Sequence, residues 1–174
     1  LSPCVIPGVK TVRDIYELCA DMKTVQKFVV PILWDKETKM IVNNESSEII
    51  RMLTKEFDEY ATGPSKDLDL YPVDLRDEID SFNEWIYPGI NDGVYRCGFA
   101  KTQKAYEFAV NSLFSSLDRL EESLSHSRFL CGSTTPDGSR LTEADIRVFM
   151  TLARFDEVYV VYFKTNKRRL IDYP

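Results

Sequence analysis

The apolar positions of this 174-residue chain are strand-like in its first third and helical afterwards. Val29 to Trp34 is a β-branched and aromatic run, Asp35-Lys36-Glu37-Thr38 is a turn signal, and Met40-Ile41-Val42 resumes the apolar pattern. Together they predict a hairpin. Pro31 interrupts the first run, and a proline has no N–H for a ladder. It therefore belongs at an edge or a bend, and a cis bond is expected there that turns the Val30 N–H and C=O outward. Asn44, Glu45 and Ser46 then precede Ile49, Ile50, Leu53 and Phe57, a spacing that predicts a helix with one buried face. The free N–H groups of its first turn and the helix dipole favour a carboxylate or phosphate by about 0.3–1 kcal/mol. Taken one at a time, Asn44 or Ser46 is simply a helix cap, Glu45 a favourable first-turn charge and Pro31 a strand end.

After Phe57 the pattern lapses into DEYATGPSKDLDLYP, whose Gly63, Pro64 and Pro72 read as a linker. Helical periods follow. Leu75, Ile79, Phe82 and Ile86 share a face until Pro88-Gly89, where a break or kink is expected. Tyr106, Val110, Leu113, Leu117, Leu120 and Leu124 extend another stripe along a long helix, with Glu107, Asp118, Arg119, Glu121 and Glu122 on its polar face. The loop STTPDGSR leads to Leu141-Thr142-Glu143-Ala144-Asp145-Ile146, a capping box in which Thr142 caps and Asp145 reaches back, with Leu141 and Ile146 as a staple. By propensity alone FDEVYVVYF at 155–163 would be a strand. The fold class is α+β: a small mixed domain over 1–57, a linker over 58–72 and an all-helical domain over 73–174.

Composition narrows the chemistry. A hydrophobic content of 44%, with 12% aromatic, suffices for a core, and the net charge of −6 argues against a general nucleic-acid surface. Lys164, Lys167, Arg168 and Arg169 form a local basic cluster that reads as a solvated face. No run approaches the eighteen or so apolar residues of a membrane span, and LSPCVIPGVK lacks the basic start of a secretory signal. Cys4, Cys19, Cys97 and Cys131 show no C-x-x-C pairing and His126 is the single histidine, so no metal site is expected. A Ser-His-Asp or Cys-His hydrolase would have to be built around His126, which lies in a Ser-rich, exposed-looking segment. No G-x-G-x-x-G or Walker loop is present.

The order strand, Val30-Pro31, hairpin strand, Glu45-Ser46, amphipathic helix resembles the second half of the thioredoxin-like domain of glutathione transferases. That resemblance implies that Val30 pairs with the cysteinyl backbone of glutathione, beside a structural Pro31, and that Glu45 and Ser46 hold its γ-glutamyl end. Thr142 and Asp145 in LTEADI, after Phe129-Leu130-Cys131-Gly132, resemble the helical domain of the same family, where their role is structural. The passages WDKETKMIVNNESSEIIRML, FNEWIYPGINDGVYRCGFA and RFDEVYVVYFKTN look like the glutathionyl-hydroquinone reductases, the Xi class related to the omega class. The resemblance runs from about Lys10 onward and makes 155–163 helix.

What the resemblance implies is a partial thioredoxin-like domain, made of a β-hairpin and a helix, followed by an all-α glutathione-transferase domain. Glutathione would be co-substrate and a hydroquinone-type thioether the substrate, in a homodimer without nucleic-acid or membrane partners. The compartment would be the cytoplasm, with a plastid or other organelle left open. Tyr95 and Tyr159 match the catalytic tyrosines of the aromatic pocket, whose phenols bind quinol oxygens and help protonate the ring. The family often has histidine at the place of Tyr162 and cysteine at that of Thr165. Its nucleophile sits in a Cys-Pro-Trp motif, which these 174 residues do not contain. The expectation is that the chain begins after that motif, stops short of the family's C-terminal extension and is inactive alone. The alternative is a non-catalytic transferase-like binding or assembly module. A weaker third option is a peroxidase-like or dehydroascorbate-reducing omega relative, against which Tyr95 and Tyr159 argue.

Overall fold

The structure, a computed structural model, describes residues 6–19, 28–63, 68–133 and 138–174. Cys4, Pro64 and the 134–137 part of the STTPDGSR loop lie outside the described residues. Two compact units emerge, Leu1–Leu68 and Asp69–Pro174.

In the first unit a short helix, α1 (Val12–Leu18), precedes the predicted hairpin. Its start is a capping box: the Asp14 carboxylate accepts from the backbone of Lys10 at 2.8 Å and of Thr11 at 2.9 Å, and the Thr11 hydroxyl accepts from Asp14 N–H. These bonds hold the Asp14 carboxyl below its ordinary value. The hairpin pairs β1 (Leu33–Asp35) with β2 (Met40–Asn43) antiparallel, Leu33 opposite Asn43, Trp34 opposite Ile41 and Asp35 opposite Met40. Its turn is closed by Asp35, which accepts from Glu37 N–H and the Thr38 hydroxyl, each at 2.8 Å. The first strand is shorter than the apolar run predicts. It begins only at Leu33, because Pro31 has no N–H to pair, and Val29 and Val30 lie exposed in irregular chain before it.

The predicted helix is α2 (Ser46–Lys55), with Glu45 as its N-cap. Its stripe is only partly covered. Ile49 is buried, whereas Leu53 and Phe57 are exposed, since one short helix and a two-stranded sheet offer little area to bury them.

The second unit is helical. A 3₁₀ turn at Val73–Leu75 enters α3 (Arg76–Ile86), a π-turn at Tyr87–Asn91 leads to α4 (Gly93–Gly98), and α5 (Gln103–His126) and α6 (Glu143–Leu152) follow. A second π-turn at Phe155–Tyr159 runs into α7 (Val160–Tyr162). The break expected at Pro88-Gly89 is a widened turn instead. Pro88 removes one rung, and the ladder resumes through Asp92 N–H to Tyr87 C=O at 2.8 Å. Gly89 permits close approach to Ser116 of α5, which a Cβ at 89 would strike.

The core gathers Ile79, Ile86, Ile90, Val94, Leu113, Leu117 and Phe155, all at most 2% exposed. The stripes of α3 and α5 are therefore those read from the periodicity. Residues 155–162 are helical, as the resemblance implies, and not the strand of their propensity. Phe155 and Tyr159, four apart, both face the core, and helical burial overrides the β propensity of the Val and Tyr residues. The Thr142–Asp145 capping box is present: Asp145 Oδ2 accepts from Thr142 N–H and hydroxyl, each at 2.9 Å, and Oδ1 from Leu130 N–H at 2.9 Å.

The basic cluster near the end is more than a solvated face. Arg168 donates to Asp118 of α5 at 2.7 Å and stacks 3.5 Å from the Tyr173 ring centroid. Lys167 reaches Asn111, also on α5. These contacts fasten the last residues onto α5. No helix among the described residues is long and apolar enough to cross a membrane.

Candidate functional site

The expected site residues fall into two groups, one in each unit. In the first, the Val30–Pro31 bond is cis, and Val30 is 68% exposed. Among the described residues no backbone–backbone hydrogen bond engages Val30. Glu45 and Ser46 stand at the opening of α2, Glu45 exposed and Ser46 half-buried. The Glu45 carboxylate accepts from Ser47 N–H at 3.5 Å, the Ser47 hydroxyl at 3.3 Å and the Ser46 hydroxyl at 3.5 Å. Contacts of that length are loose enough for a ligand's ammonium group to displace them. Asn43 orients this corner by accepting from Glu45 N–H at 2.7 Å and donating to Glu48 at 2.5 Å.

A residue that the periodicity did not single out ties the group together. Tyr16 of α1 is 1% exposed, donates to the Val29 carbonyl at 2.9 Å and accepts from the Asn44 amide at 3.0 Å. The short pattern Thr11-Val12-Arg13-Asp14 was its available signal, a capping box announcing a helix.

In the second unit Tyr95, on α4, and Tyr159, closing the second π-turn, are neighbours with ring centroids 5.9 Å apart. Tyr95 is 41% exposed and Tyr159 3%, so one phenol faces outward and the other backs it. Phe163 packs on both, at 5.2 Å from Tyr95 and 5.4 Å from Tyr159, and Phe99 lies 5.5 Å from Phe163. Sequence reasoning missed these two phenylalanines. They are separated from the tyrosines by four residues each, the spacing of one helical face.

Burial raises the Tyr159 phenol above its ordinary value, and the Tyr95 phenol raises it further against a small opposing effect of Arg154, whose guanidinium lies 5.9 Å from the ring. A phenol is protonated at neutral pH even at its ordinary value, so the rise leaves Tyr159 a hydrogen-bond donor and a weaker acid. Of the two positions where the family often differs, Tyr162 is 74% exposed, whereas Thr165 is fully buried. The Thr165 N–H donates to the Tyr159 carbonyl at 3.2 Å, and its hydroxyl has no partner among the described residues.

The described residues contain no group of three or more His, Cys, Asp or Glu that would hold a metal ion. Burial pushes the Cys97 and Cys131 thiols up to about 11, leaving both poor nucleophiles.

Residues 103–174 match the family described as glutathione S-transferase, C-terminal domain. A glutathionyl-hydroquinone reductase of Sphingobium chlorophenolicum is 48% identical over 172 residues, 99% of this chain and 52% of that protein. Among solved structures, the Xi glutathione transferase of Phanerochaete chrysosporium is 49% identical with a TM-score of 0.87, covering 98% of this chain and 55% of that one. The chain is a homologue of the Xi-class glutathione transferases. A Xi transferase of Saccharomyces cerevisiae solved in complex with glutathione is 41% identical, with a TM-score of 0.86, over 97% of this chain and 54% of that one. The chain spans about half the length of the relatives it matches. Its described residues combine a two-stranded sheet with a helical part that matches the glutathione-transferase C-terminal domain.

Proposed function

We propose that this Xi-class homologue serves the removal of glutathione from glutathionyl-hydroquinones. Residues 1–57 supply glutathione contacts through Val30, Glu45 and Ser46, residues 58–72 link, and residues 73–174 supply the aromatic pocket through Tyr95 and Tyr159. The observation that carries the reading is the Tyr95–Tyr159 pair, an outward phenol backed by a buried one.

In the reaction a cysteine thiolate attacks the thioether sulfur and forms a mixed disulfide with glutathione while the carbon–sulfur bond breaks. The electron pair left on the ring takes a proton, which we assign to the outward Tyr95 phenol, with Tyr159, a weaker acid because its pKa is raised, backing it as a hydrogen-bond partner. A second glutathione thiolate then attacks the disulfide, releases oxidised glutathione and restores the cysteine. The 174 residues carry no Cys-Pro-Trp, so the chain by itself is proposed to bind without turning over. A homodimer and a cytoplasmic setting belong to the same proposal and are supported by the resemblance alone.

The test is titration of a glutathionyl-hydroquinone into the chain, followed by fluorescence. Binding is expected, weakened about threefold to tenfold by Tyr95→Phe, the factor of one net hydrogen bond. Turnover by the chain alone, abolished by Cys4→Ser, would overturn the assignment of the nucleophile. The second reading is a non-catalytic transferase-like module. That reading expects no retention on immobilised glutathione, whereas the first expects retention that Glu45→Ala weakens.

A further inference from the structure

We infer that Tyr16 is a positioning residue for glutathione, its hydroxyl joining the segment that presents Val30 to the segment that presents Glu45. The inference rests on the proposed reading of Val30, Glu45 and Ser46 as glutathione contacts.

Tyr16 is the most deeply buried side chain described in the Leu1–Leu68 unit, at 1% exposure. A buried phenol requires a partner, and this one has two. It donates to the carbonyl of Val29, one residue before Val30, and accepts from the side-chain amide of Asn44, one residue before Glu45. Both segments lie outside regular structure, 28–32 before β1 and 44–45 between β2 and α2. No ladder holds them; Phe28 packs on the Tyr16 ring and Asn43 bonds Glu45 and Glu48, and the Tyr16 hydroxyl is the group that hydrogen-bonds both segments to α1.

The ring and the hydroxyl have separable tasks. The ring packs against Phe28 at 5.6 Å, and the Arg13 guanidinium lies 5.5 Å from the Phe28 ring. The hydroxyl alone reaches Val29 and Asn44. Those two residues are themselves exposed, so water can satisfy the carbonyl and the amide once the hydroxyl is gone. Removing the oxygen therefore frees the geometry of the two segments more than it weakens the unit.

The experiment is isothermal titration of the whole chain with reduced glutathione, comparing the unsubstituted chain with Tyr16→Phe, Asn44→Ala and Glu45→Gln. Tyr16→Phe is expected to raise Kd about threefold to tenfold, the factor of one net hydrogen bond, while the thermal midpoint moves by about 2 °C or less. The Asn44 side-chain amide resonances should shift in the ligand-free variant, a local signature that general loosening would not give. Asn44→Ala cuts the same junction from the other side without touching the buried ring, and it should weaken glutathione to a similar degree even if Tyr16→Phe folds poorly. Normal affinity in both of those variants alongside weakened Glu45→Gln overturns the role of Tyr16 and leaves the glutathione site standing. Absence of binding by the unsubstituted chain, or normal binding by Glu45→Gln, overturns the site reading and the inference with it.

Discussion

Replacing Gly98 by alanine sets two effects of known sign against each other. Gly98 is the last residue of α4, and its φ lies outside the left-handed region, so its backbone does not by itself require glycine. In a helix interior the change would stabilise by up to about 1 kcal/mol, and by less at a terminus. Against that, a Cβ at 98 would lie 2.5 Å from Phe163 Cγ, 2.6 Å from Cδ1 and 3.0 Å from Cβ. Cβ is fixed by the backbone, and Cγ and Cδ1 can withdraw only by a χ1 change that gives up the ring's packing on Tyr95, Phe99 and Tyr159, so either the ring or the chain at Phe163 must move.

Overpacking of this kind costs about 1–3 kcal/mol, which leaves a net loss of about 1–2 kcal/mol and a fall in Tm of roughly 2–8 °C for a chain of this size. Because Phe163 packs on Tyr95, Phe99 and Tyr159, near-UV circular dichroism should report the displacement at the same time. Urea unfolding with both probes measures the two effects. In a Phe163→Ala background the clash is gone, and Gly98→Ala should cost nothing, a coupling of about 1–2 kcal/mol in the double-mutant cycle. A Gly98→Ala protein as stable as the parent, with an unchanged near-UV spectrum, would refute the claim that glycine is there to seat Phe163.

Two further outcomes follow from the second unit. Asp145→Ala strips the acceptor from Thr142 N–H, the Thr142 hydroxyl and Leu130 N–H, with Thr142 fully buried, and should cost about 2–4 kcal/mol in urea unfolding. A loss under about 0.5 kcal/mol would mean those donors find water instead. Cys97 and Cys131 are raised by burial from 9.0 to about 11, opposed at Cys131 by a hydrogen bond with Thr142. The unfolded thiols ionise first, so the stabilisation is complete below about pH 9 and is lost as pH rises toward about 11. The urea midpoint should fall over that interval, less steeply in Cys97→Ala, and both thiols should resist Ellman's reagent at pH 8 until the chain unfolds; rapid labelling of the native protein would contradict the burial.

Much of the architecture was legible because amphipathic periodicity reports one-sided burial. Ile79 and Ile86 in α3, and Leu113 and Leu117 in α5, occupy the core that their spacing predicts. The capping box at Thr142 and Asp145 was equally plain, since its bonds are made among residues close in sequence. Local preference by itself fails where it meets a distant demand. The run from Val29 to Trp34 has strand composition throughout, but ladder pairing starts only at Leu33. The Val and Tyr residues of 155–163 prefer strands, but the core accepts Phe155 and Tyr159 as a helical pair.

Sequence alone determined the helical stripes, the hairpin turn, the opening of α2 at Glu45 and the resemblance that singled out Val30, Ser46, Tyr95 and Tyr159. Only the tertiary structure decided that Phe99 and Phe163 pack around the tyrosine pair, that Phe163 occupies the space beside Gly98, and that one Tyr16 oxygen joins Val29 to Asn44. Periodicity and capping arise from neighbours within a few residues along the chain. A contact between residues 16 and 44, or 98 and 163, depends on how whole elements are brought together, and no local pattern encodes it.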